Sequence, residues 1–413
     1  MVRLNFDKLM SLMADYACRF YSFGCLSLIK VIPAKTFYLS GALRLSLVVF
    51  LLASCSGTKN EEGVHSQNLE TFQSYQLSID AERKSFSSII ESIEVVTLQE
   101  TDNSLLTSAS RVLKHRNEYL VINKSDEEVV FFDSEGKYLR TFRQLGQGPG
   151  EYQAINSIWI QDDELFIYER QRSIVFKYRI EGEFLDSKKL PFEVGHVIGY
   201  KDEYLVEFNY TIIEDSLMYK FGVLNSEMEL TEKFLKTDEA SDNIDMNPAP
   251  SMFSYSDGVL LTHMYSDSVY YYKQGQFKPF IHLDFGKDWY WENEEVFNQD
   301  NLASSNKAWE TDMSVSKKYA YVWTVVGFSH YDYFIMDRTT GKLVRVDLRK
   351  DSDFSSIITD LGWEGDKWLV SMLPDDLLQL CEELDHELPN LDQLTRSENP
   401  ALVKVKFKDS AEW

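Results

Sequence analysis

Two histidines and two arginines are the main candidates for chemistry in this chain of 413 residues. His263 stands in "LTHMYSD", His330 in "VGFSHYD", and Arg170 and Arg172 in "YERQRS". Imidazoles near guanidiniums could bind an anion or, beside a carboxylate, move a proton. The same residues could equally serve as loop residues making local hydrogen bonds. "GQGPGEY", residues 146–152, has the look of a phosphate cradle. Pro149, however, has no N–H to offer, no Lys-Ser/Thr follows, and the next segment, "NSIWIQ", reads as a strand and not a helix. Its glycines are expected to serve backbone geometry, which leaves Gln147, Glu151 and Tyr152 to meet a ligand. In "WYW", residues 289–291, Trp289 and Trp291 could stack on a sugar ring or pin their own loop.

Other chemistry is absent from the sequence. There is no His-Glu-x-x-His, no Cys/His metal spacing and no EF-hand loop, so neither a metal nor a cofactor is expected. "GFSHY" has half of a nucleophile elbow and lacks the second glycine. Cys381 lies in a stripe of Leu377, Leu384 and Leu388 at helical spacing after Pro374, with Pro389 dividing the segment into two short pieces; a buried, inert thiol is the expectation. An axial calcium site is disfavoured too. The inner positions read as Arg111, Asn156, His196 and Ser251, a poor cage for a hard cation.

The elements that must position these residues repeat. "EYLVINKSDEEVVFFDSEGKYLRTF" from Glu118 and "ELFIYERQRSIVFKYRIEGEFLDSKKL" from Glu164 each give a strand, a polar turn, a second strand, a glycine turn and a third strand. Gly136 to Gly182 spans 46 residues, Gly182 to Gly275 spans 93, and Gly275 to Gly341 spans 66. These are one step, two steps, and one step with an insertion. The unit from Glu203 uses Asn225-Ser226 in place of the turn glycine. A repeat of about 40 to 50 residues with four strands describes a propeller blade. Inner strands are expected in "SASRVLKH", "NSIWIQ", "VGHVIGY", "SMFSYS" and "TDMSVSKK". The chain ends supply a sixth blade: two strands from "SSIITDLGWEGDKWLVSML", one from "ALVKVKFK" and the last from "IEVVTLQE". The expected fold is therefore all-β, a six-bladed propeller of four-stranded antiparallel blades over residues 76–413. A short helical insertion precedes the last strand, and seven blades is the alternative count.

At the N-terminus, "RLSLVVFLLASCSG" places Arg44 before an apolar run and small residues before Cys55. That is the pattern of a secretory signal with a lipobox, too short to span a bilayer. Residues 1–54 are read as the signal peptide, Cys55 as the lipidated first residue, and 55–75 as a polar tether. A leader of this length exceeds the usual ~15–30 residues, which moves the expected translation start towards Lys35. The mature chain then carries 36 Lys/Arg against 64 Asp/Glu, a charge of −28. Such a surface repels phosphate backbones, so nucleic acid is excluded as a partner.

"GQGPGEY", "FFDSEGKYL" and "ENPALVKV" together resemble the six-bladed β-propeller lipoproteins of Bacteroidetes, over roughly residues 76 to 408. The blade pattern is also similar to NHL-like and TolB-like propellers. The resemblance implies an exported envelope lipoprotein of the outer membrane and carries no catalytic set. The reading that follows is a non-enzymatic binding or scaffold module, membrane-tethered through Cys55, offering its loop-rich face to a glycan, a peptide or an outer-membrane protein. The competing reading is a propeller hydrolase or lyase using His263 or His330.

Overall fold

The computed structural model describes residues 71–413 apart from 108, 209–211, 215–216, 238–250, 293–298, 329, 350–355 and 389–390. Six separate sheets carry the described strands. In blades 1 to 5 the chain runs outward through four antiparallel strands. Their innermost strands are Arg111–His115, Ser157–Gln161, His196–Tyr200, Met252–Tyr255 and Ala308–Val315. Blade 6 runs Thr359–Glu364, Lys367–Met372, Ala401–Phe407 and then Ile90–Val96, so both chain ends share one sheet. Val403 pairs with Val95 and Val405 with Ile93, which closes the ring by joining the two chain ends in one blade. The architecture and the closing strands are those expected from the repeats.

The strand chemistry follows from blade stacking. Second and third strands are covered on both faces by neighbouring blades and read as continuous apolar runs, as in "EYLVIN" and "EVVFFD". Outer strands such as "FLDSKK" are largely solvated. Apolar clusters fill the seams: Phe131 and Tyr178 between blades 1 and 2, Met313 and Phe280 between 4 and 5, Trp368 and Tyr321 between 5 and 6, and one continuous cluster across blades 2, 3 and 4. Burying one such side chain contributes about 1.5–3 kcal/mol.

Turn chemistry is equally legible. Gly136, Gly182, Gly275 and Gly341 all have positive φ, and Met228 takes that role after Asn225-Ser226. At one end of the ring the connections are only two to five residues long. At the other end lie the links from second to third strand and from outer strand to the next inner one, and every long segment falls there. That end holds the helices Gln299–Ser304, Pro374–Glu383 and Leu391–Leu394. The Pro374 helix stops at Glu383, short of Leu384 and Leu388. Leu377, Leu380 and Cys381 are its buried stripe against blade 6, and burial pushes the Cys381 thiol up. Pro389 lies outside the described residues.

One feature has no counterpart in the repeat pattern. Before entering blade 6 the chain adds a parallel fifth strand, Gln73–Gln76, to blade 4 and another, Arg83–Ser85, to blade 5. The first described strand thus begins at Gln73, within residues 55–75. The second register sets Arg83 opposite Arg345, and the enclosed Asp332 carboxylate lies 2.7 Å from both guanidiniums. No helix among the described residues is long and apolar enough to cross a membrane.

Candidate functional site: the loop-rich end of the axis

The residues singled out from sequence separate into three groups in the fold. "GQGPGEY" links the outer strand of blade 1 to the inner strand of blade 2 and closes on itself. Gly146 N–H donates to Tyr152 O, Gly148 N–H to the Glu151 carboxylate, and Tyr152 N–H to Gln144 O. Those N–H groups are therefore spent within the loop and not offered to a phosphate. Gly150 is required by its φ of +77° and by the Phe184 ring, which would stand 2.6 Å from a Cβ. Tyr152 is wholly enclosed, with its hydroxyl donating to Glu127 O, and offers no surface to a ligand. Gln147 alone of the three candidates stays exposed.

Arg172 belongs to the same scaffold. It donates to both oxygens of Glu169 and to Glu151 O, while Glu169 also accepts from Gln153 N–H. Burial would raise the Glu169 carboxyl, but Arg172 and that N–H bring it below its ordinary value. Arg170 pairs with Glu193 at 2.7 Å. Trp289 is buried and stacks on Phe285, and Trp291 donates from Nε1 to Trp309 O at 2.6 Å. These tryptophans hold the insertion against blade 5, so they form no exposed apolar patch.

The two histidines occupy different surroundings. His330 begins the third strand of blade 5 and lines a cleft of about 330 Å³ with Arg83, Arg345, Arg349, Asn306 and Asp80. Its Nε2 lies 3.9 Å from Asp332, whose carboxylate is already shared by two arginines. His263, in the corresponding loop of blade 4, meets Lys220 of blade 3, with Nζ 2.9 Å from Nε2. Burial, and then the charge of Lys220, hold His263 well below the ordinary imidazole range. The cleft beside His330 is not lined by His263, so this geometry does not join the two rings in one site.

Buried and charged groups stand instead where the inner strands reach the loop-rich end. Arg111 opens the inner strand of blade 1, and burial lowers its guanidinium to about 10. His196 opens that of blade 3 and bonds from Nδ1 to the buried Glu207 at 2.7 Å. On blade 5, Glu310 is 8% exposed, and burial alone raises its carboxyl to about 7. Asp312 also rises to about 7 through burial, opposed by Met313 N–H and Thr262 and reinforced by Asp360 and Glu310. Asp360 of blade 6 is raised by burial, although it accepts from Trp368 Nε1 at 2.6 Å. Alternation puts Glu310 and Asp312 on one side of their strand. There Trp323 is the cross-strand partner of Asp312, and Tyr331 lies close enough to feel Glu310.

Sequence reasoning missed Glu310, Asp312, Asp360 and Lys220. The available signal was "WETDMSV", two acids alternating with apolar residues in a strand assigned to the ring's interior, where carboxyls are costly. Groups shifted by burial and converging at one place mark functional sites more often than chance. No trio of His, Cys, Asp or Glu among the described residues is arranged to hold a metal ion.

Comparison with known proteins agrees with the fold. A presumed exported protein of Bacteroides fragilis superposes with a TM-score of 0.66 at 16% identity, covering 82% of this chain and 100% of its own. A DUF4221-family protein of Bacteroides vulgatus superposes with a TM-score of 0.51 at 10% identity, covering 78% of this chain and 97% of its own. Identities this low establish shared architecture only. No curated protein sequence is significantly similar to the chain. The sequence of the propeller itself is more specific: the family described as domain of unknown function DUF4934 matches residues 75–406, and the chain belongs to that family.

Proposed function

We propose that this protein is an exported envelope lipoprotein, anchored through Cys55, whose propeller binds a hydroxyl-rich ligand of the glycan class at the loop-rich end of its axis. The observation that carries the reading is Glu310, a carboxyl enclosed on an inner strand with no ion pair or side-chain hydrogen bond among the described residues. Its carboxyl oxygens are not among the side-chain atoms buried without a partner, so the access they keep is open to a ligand or to water. With Asp312 beside it, both titrating near pH 7, the pair donates as well as accepts at neutral pH. That capacity, with the aromatic faces of Trp323 and Tyr331 alongside, suits sugar hydroxyls and C–H surfaces. Binding without turnover is favoured over a His-based hydrolase or lyase because the neutral His263 is braced by a lysine and not by an acid.

Export and anchoring rest on the lipobox sequence, which lies outside the described residues, and are tested separately from binding. Cys55→Ala should move the protein from the membrane to the soluble fraction. The soluble variant is then screened against a glycan array, and Asp312→Ala is expected to weaken the best binder about tenfold or more. An array without a single binder would overturn the glycan reading.

A further inference from the structure

The cleft beside His330 holds about 330 Å³, within the ~300–1,000 Å³ usual for small-ligand sites. Separate segments of the chain meet there. The strap supplies Asp80 and Arg83, the insertion before blade 5 supplies Asn306, the third strand His330, and the outer strand and its exit Arg345 and Arg349. Guanidiniums thus dominate this wall in a chain that has 66 acidic residues against 42 basic ones.

The charges around the cleft do not cancel. Register sets Arg83 directly opposite Arg345, an unfavourable like-charge pair, and the enclosed Asp332 answers only one of the two. A single arginine would suffice to fasten the strap to that carboxylate. Arg345 is 8% exposed and donates to both oxygens of Asp332 and to Ala81 O, while its Nε is buried without a partner. Arg83 engages Asp332 through Nη2, and its other N–H groups make no hydrogen bond among the described residues. Arg349 is held by Asp347, a residue set outside the cleft wall. Asp80 is the only acid among the described residues of the wall, and it is exposed and makes no ion pair among them. A planar carboxylate is satisfied by one guanidinium fork, whereas a tetrahedral oxyanion offers acceptor oxygens to donors on several sides.

We propose that this cleft binds a tetrahedral oxyanion, the phosphate or sulfate group, free or as a monoester, between Arg83 of the strap and Arg345 and Arg349 of blade 5. The cleft shares no residue with the axial group of Glu310, Asp312 and Asp360, so the glycan reading stands or falls separately. The test is titration calorimetry on the purified full-length chain, in chloride buffer at pH 7 and constant ionic strength, with inorganic phosphate, sulfate, methyl phosphate and acetate. Phosphate or sulfate should bind and raise the melting temperature, and acetate should bind about tenfold or more weakly. Arg83→Gln and Arg349→Gln should each weaken the anion about tenfold and remove the thermal shift, and Arg83→Lys should keep part of both. Arg345 braces Asp332 and is left intact in every variant. Arg179→Gln, which breaks an exposed pair with Glu183 on blade 2, should leave binding unchanged. Methyl phosphate bound as tightly as phosphate assigns the site to an ester, and methyl phosphate bound about tenfold more weakly assigns it to the free ion. Binding of neither phosphate nor sulfate, acetate bound as tightly as either, or an affinity unchanged in both Arg83→Gln and Arg349→Gln overturns the proposal.

Discussion

Lys220 and His263 meet across the seam of blades 3 and 4 with 2.9 Å between Nζ and Nε2. A cation at that distance, added to burial, keeps the imidazole neutral and occupies one ring nitrogen. His263 is thereby a poor proton carrier and a good strut. Its NMR titration midpoint should lie well below the ordinary imidazole value, and Lys220→Met should raise it. A midpoint near the ordinary imidazole value in the unaltered protein would restore His263 as a candidate base.

The raised carboxyls set a pH dependence with a definite sign. Glu310 and Asp312 titrate at about 7 in the folded chain, against about 4 when unfolded. Between those values the folded state holds more protons, so stability falls as pH rises from about 4 towards 7 and then levels off. Melting temperature should drop by a few degrees from pH 5 to pH 8, roughly. Glu310→Gln with Asp312→Asn should flatten that slope, and an unchanged slope in the double variant would refute the assignment.

Arg338 secures the N-terminal strap. It is fully enclosed, donates to Ser316 O at 2.6 Å and to the Tyr255 hydroxyl at 2.8 Å, and reaches Gln73 Oε1 at 3.3 Å. Arg338→Ala strands several acceptors at the seam of blades 4 and 5, and should cost on the order of 3 kcal/mol in chemical denaturation. Limited proteolysis should then cut near Gln73 first. Protection there equal to that of the unaltered protein would show that the strap is held elsewhere.

The turn glycines are not equivalent. A Cβ on Gly136 would lie 2.2 Å from Thr97 O, whereas on Gly341 it would meet nothing within 4 Å. Both have positive φ, so Ala at either site carries about 1–2 kcal/mol of backbone strain. Gly136→Ala adds a clash with main chain, and is expected to lose at least about twice as much stability as Gly341→Ala. Equal losses would mean that Thr97 moves aside freely.

Much of the fold was legible because a blade is a local object. Strand alternation, the glycine ruler and the polar turns around Asn225 act over a few residues, and stacking merely repeats them. Even the closure of blade 6 could be read, since "IEVVTLQE" and "ALVKVKFK" were each an incomplete blade awaiting strands. The strap was not legible: Gln73–Gln76 and Arg83–Ser85 are short, polar and paired with partners more than 200 residues away. Nothing local marks such pairing.

The site divided in the same way. From sequence alone, "GQGPGEY" could be recognised as geometry and not a phosphate loop, because a proline and a following strand are local facts. Which charged groups stand alone was decided only by tertiary structure. Arg172 found Glu169, and Trp291 found a carbonyl of Trp309. Arg111 and Glu310 found nothing among the described residues. Whether a charge is paired depends on distances across seams between strands far apart in the chain, and on how much water those seams exclude. Residue type and spacing set neither.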